Sequence, residues 1–213
     1  MGIAVIEEAT LGAGWLATSR AILEHGADER YDELPTKELA LVTLSVEHPS
    51  SDDPLIAELG DPEWLAWMHD NFFTEKDVPE LGDAKSYAVR LFNYDGTGRD
   101  QVDWVVRRLR ADPASRSATI TTFQPLSDTS YIPCVSLLDF WLADGQLFQS
   151  VYAHGIDFGT KGYANLVELA DLQQRIATAI GAGVGSLTMT VKSAHVYATE
   201  RARMNEIVGG ARR

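Results

Sequence analysis

The chain reads as a single α+β domain spanning residues 1–213. Three observations predict this. Segments with helical and strand periodicity come in groups rather than in strict alternation. A chain of 213 residues, 45% hydrophobic and 23% charged, can close one sizeable core. No repeat, low-complexity tract or linker divides it.

The elements follow in order. "GAGWLATSRAILEHG" (12–26) places Trp15, Leu16, Ile22 and Leu23 at helical spacing, and Gly26 stops it. "ADERYDELPTK" is a charged loop. "ELALVTLSVEHP" alternates around Leu41, Thr43 and Ser45 and ends at Pro49, so it reads as a strand. "SSDDP" is a turn. "DPEWLAWMHDNFF" starts a helix with Asp61 as N-cap and Pro62 in the first turn. In "DQVDWVVRRLRADP", Val102, Val105, Val106 and Leu109 share a helix face, and Pro113 ends it. "SATITTFQP" is a strand. "CVSLLDFWLADGQLFQSVYAHG" is a hairpin turning at Ala143–Asp144–Gly145. "ANLVELADLQQRIATAIG" is a strong helix, and "SLTMTVKSAHVYAT" a closing strand.

A formal net charge of −13 repels phosphate backbones, so a nucleic-acid polymer is not an expected partner. No apolar stretch is long enough to span a membrane, and the first residues carry an acidic pair where a secretion signal needs basic ones. The expected location is the cytoplasm. One cysteine, Cys134, excludes an intramolecular disulfide and a cysteine zinc site, and no metal is expected.

Several positions could carry chemistry. Cys134 follows a proline and opens an apolar run; a lone cysteine is as readily a small buried hydrophobe. Arg116, in the turn "DPASR", offers a guanidinium fork for an anion or is a solvated turn residue. His195 and Tyr197 are two apart on a strand, on the face of Leu187, Met189 and Val191. They form either a satisfied buried pair or a donor pair for a ligand hydroxyl. Asn165 is either a helix N-cap or a carboxamide that both donates to and accepts from a base. Asp157 lies in "HGIDFGTKG". "GAGVGS" (181–186) follows a helix and precedes a strand, so it reads as a glycine stop, not a phosphate loop.

Taken together, these positions resemble thymidylate synthase, best over residues 99–197. "PCV" (133–135) stands where the family has Pro-Cys-His. "YAHGID" (152–157), with Asn165 eight residues after Asp157, matches the family's Tyr-Gln-Arg-Ser-x-Asp and following Asn. "HVY" matches its late His-x-Tyr, and "DPASRS" its Asp-Pro-x-Ser-Arg-Arg. The first half is similar to the compact synthases of some archaea.

The resemblance implies a mixed sheet packed by helices and a homodimer. It implies Cys134 as the nucleophile adding to C6 of a pyrimidine nucleotide, which makes C5 able to attack a one-carbon unit. It further implies Tyr87 near the reacting carbon, Asp157 holding the ring, and Asn165 reading the uracil edge. His195 and Tyr197 would hold the sugar hydroxyl, and Arg116 would bind phosphate across a dimer. Arg30 is a candidate second phosphate ligand. The implied one-carbon donor is 5,10-methylene-tetrahydrofolate or a related pterin.

The departures are specific. His154 replaces a family arginine, Gly155 the adjacent serine, Ser117 the second arginine of the pair, and Val135 the histidine after the nucleophile. The relay glutamate has no clear match, with Glu63 a stand-in. The family's closing tail is absent or replaced by "RMNEIVGGARR". The simplest expected reaction is therefore dUMP to dTMP. The alternatives are 5-hydroxymethylation of UMP, CMP or dCMP, or nucleotide binding without turnover.

Overall fold

The computed structural model describes residues 3–31, 33–129 and 131–210; the last three residues of the expected tail replacement lie outside them. The order is β1 (Ala4–Glu8), α1 (Leu11–His25), β2 (Ala27–Tyr31), β3 (Leu34–Val46), α2 (Pro54–Leu59) and α3 (Pro62–Phe73). A small hairpin of β4 (Asp77–Val78) and β5 (Ala84–Lys85) follows, then α4 (Tyr87–Phe92), α5 (Gln101–Ala111) and β6 (Ala118–Thr121). The second half is β7 (Val135–Ala143), β8 (Gln146–Ala153), β9 (Ile156–Asp157), α6 (Gly162–Ile180), β10 (Gly183–Tyr197) and α7 (Arg201–Gly210).

The main sheet has the order β1-β3-β10-β8-β7-β6, with β2 added to β3 and β9 to β10. It is mixed. β1 runs parallel to β3, and β8 and β9 parallel to β10, while β3/β10, β7/β8 and β6/β7 are antiparallel. This is the expected α+β architecture.

Strand alternation places Val42, Leu44 and Val46 of β3 and Leu187, Met189 and Val191 of β10 on one face, all fully buried. α1 lies on this face: a Cβ at Gly14 would come within 3.0 Å of Leu44. Trp15 of α1 is fully buried, and its indole donates to the carbonyl of Phe158 at 2.9 Å, tying α1 to the segment before α6. The opposite face is different. It carries hydroxyl pairs, Thr43–Thr190 and Ser45–Thr188, each at 3.3 Å. Leu137, Trp141 and Tyr152 stay 39%, 38% and 39% exposed there.

Local sequence explains most of the elements. Asp53 caps α2 through Leu55 and Ile56, and also accepts from Gly12 at 2.8 Å. The "SSDDP" turn is thus a helix start as well. Asp61 caps α3 as expected, accepting from Glu63 at 2.8 Å. The β7–β8 hairpin closes through Asp144 and Gly145, both at positive φ (49° and 74°), as a two-residue turn of this hand requires. Gly181 ends α6 at φ 76°, so the glycine-stop reading stands, although β10 already begins at Gly183.

One expectation is corrected. "ADERYDELPTK" is not a loop: Ala27–Tyr31 forms β2, paired antiparallel with β3 from Ala27↔Glu38 to Tyr31↔Leu34. Every residue of β2 is exposed, so no apolar alternation marks it; backbone pairing makes this strand, with Asp28 ion-paired to Lys37 at 3.5 Å and Arg201 at 3.0 Å.

Candidate active site

Cys134 sits immediately before β7. Its carbonyl accepts from the backbone N–H of His154 at 3.0 Å, which fastens it to the end of β8. The next N–H, of Val135, donates to the Tyr87 hydroxyl at 2.9 Å. α4 thus reaches under the start of β7. The Tyr87 ring is buried and packs on Phe72 with centroids 4.5 Å apart. Burial and the neighbouring Cys134 push its phenol far above the ordinary range, so it stays protonated.

The thiol is half-buried, and its Sγ lies 3.7 Å from the Tyr131 hydroxyl. Burial raises the Cys134 thiol above its ordinary value, and Asp157 adds to the rise. The Tyr131 hydroxyl and the Lys161 ammonium act the other way.

The remaining groups arrive through β9, β10 and α6. Asp157 of β9 stands opposite His195 of β10 in a parallel bridge. Its Oδ1 accepts from Gly159 at 2.9 Å and its carbonyl accepts from Lys161 at 3.2 Å, which shapes the turn into α6. His195 is 8% exposed and shares Nδ1 with Ser193. Its ring stands edge-on to Tyr197 at 5.2 Å and lies 6.2 Å from Tyr31. The β3–β10 ladder skips the Leu41–Lys192 pair, where Leu41 takes φ 55°. Beyond that break the fully buried positions are Ala194 and Val196, and His195 and Tyr197 lie on the other side of the strand.

Asn165 is not the N-cap. The cap position is Lys161, and Asn165 lies one turn inside α6. Its backbone N–H and its Nδ2 both donate to the Lys161 carbonyl, at 3.0 and 2.9 Å, while the buried Oδ1 has no partner. An acceptor buried without a partner costs about 1–3 kcal/mol, so such an atom is a ligand-facing feature.

The basic residues take the following places. His154 bonds Ser136 Oγ through Nδ1 at 3.2 Å. Burial, with the charge of Lys192, holds its pKa below the ordinary histidine value, so this ring does not replace an arginine's charge at neutral pH. Lys192, exposed on β10, is the cation the sequence reading missed; nothing in its spacing marks it. Arg30 is not drawn to the thiol. It donates to the Glu33 carbonyl and pairs with the Glu33 carboxylate at 3.2 Å, and its neighbour Tyr31 faces His195 instead.

Arg116 is exposed just before β6. Ala118 pairs with Phe140, six residues along β7 from Cys134, so about 20 Å separates the two ends within one chain. Glu63 is exposed in the first turn of α3. A buried carboxyl on α6, Glu168, lies 3.1 Å from His69 Nδ1 and is raised by burial. Among the described residues, His69, Glu168 and Asp171 are the one group placed to hold a cation, with ligand atoms within 4.8 Å. Glu168 is taken by His69 and Asp171 by Arg175.

A cysteine stands at a hairpin start on a mixed-sheet α+β fold, with the charges of Asp157 and Lys161 acting on it and the unpartnered carboxamide oxygen of Asn165 one turn into the helix that Lys161 begins. The comparisons give the family. The profile of the thymidylate synthase family matches residues 49–211. A provisionally assigned thymidylate synthase of Methanothermobacter thermautotrophicus is 29% identical over 218 residues, covering 95% of this chain and 97% of its own. Its counterpart in Methanosarcina barkeri is 28% identical over 218 residues, covering 97% and 95%. The deoxyuridylate hydroxymethyltransferase of Bacillus phage SP01 is 37% identical over 105 residues, 46% of this chain and 27% of its own. The chain belongs to the thymidylate synthase family.

Proposed function

We propose that the protein transfers a one-carbon unit to C5 of a pyrimidine nucleotide, in its simplest form converting dUMP to dTMP. The observation that carries this reading is the orphaned Oδ1 of Asn165, buried at the sheet end that holds Cys134. A uracil edge offers an N–H and a carbonyl side by side, and a carboxamide meets both. It is the Cys134 thiolate that adds to C6. The pair of electrons displaced from the C5–C6 bond makes C5 the nucleophile toward the carbon unit, and loss of the C5 proton with release of the carrier leaves an exocyclic methylene; a hydride, which a reduced pterin would supply on its own oxidation to the dihydro form, would make this a methyl group, water would make it hydroxymethyl, and thiolate departure restores the ring in either case.

Asp157 holds the ring in this account, and Tyr87 keeps the Cys134–Val135 backbone in place beneath it. His195 and Tyr197 take the sugar hydroxyl. The phosphate needs more cations than Lys161, the one that acts on Cys134 among the described residues. Arg116 supplies one from a second copy, and the open sheet face with Leu137, Trp141 and Tyr152 is the surface through which two copies pack. His154, and Arg30 from its hairpin, remain secondary phosphate contacts in this proposal.

The carbon carrier, 5,10-methylene-tetrahydrofolate or a related pterin, supplies an electrophilic one-carbon unit when bound. The residues suit a flat, anionic carrier: Trp64 and Trp67 stand edge to face at 5.8 Å, with the Lys161 ammonium 5.0 and 5.5 Å from their rings. A second reading, hydroxymethylation, is favoured by the likeness to the phage hydroxymethyltransferase.

The test is 5-bromo-dUMP with added thiol, where C6 addition alone releases bromide. Cys134→Ala must abolish it. Tight dUMP binding without dehalogenation refutes the enzyme reading. Mass analysis of the product from dUMP and the carrier separates methyl from hydroxymethyl transfer.

A further inference from the structure

We propose that the Tyr131 hydroxyl holds the Cys134 thiolate for attack by donating a hydrogen bond to its sulfur. The inference rests on the reading of Cys134 as the nucleophile. Its basis is the 3.7 Å approach of the Tyr131 hydroxyl to Sγ, on the loop that leads directly into the Pro133–Cys134 step.

The other groups facing the sulfur leave this role open. Tyr87 accepts from the Val135 N–H, so its hydroxyl is committed to the backbone. Asp157 is an acid and opposes a thiolate. His154 bonds Ser136 and is held neutral by burial and by Lys192. Lys161 favours the thiolate, but its ammonium lies against the two indoles. Tyr131 remains as the group with a proton to give. Burial and the neighbours Cys134, Tyr87 and Tyr31 keep its phenol from ionising, so it donates at any working pH.

The loop that carries Tyr131 is anchored for this purpose. Asp128, three residues earlier, is gripped by both Nη atoms of the buried Arg90 at 2.8 Å, and also accepts from the N–H of Gln124 at 2.7 Å. Arg90 belongs to α4, the helix that carries Tyr87. One helix therefore fixes both hydroxyls relative to the sulfur. When sulfur bonds to C6 its negative charge passes to the ring, and a thioether accepts only weakly. Tyr131 thus favours the state before attack.

Cys134 is the only cysteine, so alkylation reads it alone. Wild type, Tyr131→Phe and the control Tyr94→Phe are treated with iodoacetamide from pH 6 to pH 10 and followed by intact mass, with circular dichroism to confirm folding. The expected result is an alkylation midpoint about one to two pH units higher in Tyr131→Phe, with Tyr94→Phe unchanged. Coincident profiles for wild type and Tyr131→Phe overturn the proposal. If the profile moves while wild type fails to dehalogenate 5-bromo-dUMP, the thiolate partner stands and the functional reading falls. If wild type dehalogenates and the profiles coincide, the reverse holds.

Discussion

Removing the Asp128 carboxylate should unfold the loop before the nucleophile, and the size of the effect follows from its contacts. The Arg90 side chain is 2% exposed and that of Asp128 7% exposed. The guanidinium makes two 2.8 Å bonds to the carboxylate and two more, to the carbonyls of Thr122 at 2.7 Å and Lys85 at 3.1 Å. Asp128→Ala leaves a buried cation with only carbonyl partners and frees the Gln124 N–H. Breaking a buried pair from one side costs about 3–5 kcal/mol. In a domain of this size that lowers Tm by about 6–20 °C.

Arg90→Met costs at least as much, because it also strips the two carbonyls. The double variant should cost little more than Arg90→Met alone, giving a coupling close to the whole cost of Asp128→Ala, about 3 kcal/mol or more. Urea unfolding followed by circular dichroism measures all four corners of the cycle. Asp128→Ala within about 1 kcal/mol of wild type, or single effects that add within about 0.5 kcal/mol, would refute the reasoning.

Three further outcomes are expected. Asn165→Asp should lower kcat/KM for dUMP by about 10- to 100-fold while improving turnover of dCMP; unchanged base preference would show that the carboxamide does not read the base. The lowered pKa of His154 means the unfolded chain binds a proton there before the folded one does. Stability from this group is full above the ordinary histidine value and falls as pH drops below it toward the folded value. His154→Gln should therefore flatten the decline in Tm over that acidic window, and parallel Tm curves would contradict the assignment. If two copies pack through the open sheet face as proposed, Trp141→Glu, a charge placed there, should lower the mass in sedimentation velocity from two copies to one; an unchanged mass would remove that face as the contact.

The sequence revealed elements whose burial follows a period. α5 lies at Gln101–Ala111, with Val105 and Leu109 in the core, and the β7–β8 turn lies at Asp144–Gly145. Elements made by pairing or capping were hidden. β2 has no buried residue, and α2 is a six-residue helix started by one aspartate. The site shows the same division. Spacing brought Cys134, Asp157, Asn165, His195 and Tyr197 to notice, and the fold places Asp157 opposite His195 and Asn165 within the next helix. Asn165 looked like a cap because carboxamides cap well, yet its depth inside α6 is what leaves Oδ1 free. Lys192 carries no motif because it meets His154 across the fold, and Tyr131 carries none although it meets Cys134 only three residues along the chain.

The attachment of Cys134 to two unlike supports has a wider consequence. The backbone bond from His154 makes the sulfur's position a property of the sheet. The Tyr131 contact makes its acidity a property of a loop held by one ion pair. Location and reactivity are therefore separable traits. Substitutions at Gln124, Asp128 or Tyr131 can retune how readily the thiol ionises while the sheet that positions it stays fixed. A lineage can change the chemistry of this site without rebuilding its frame.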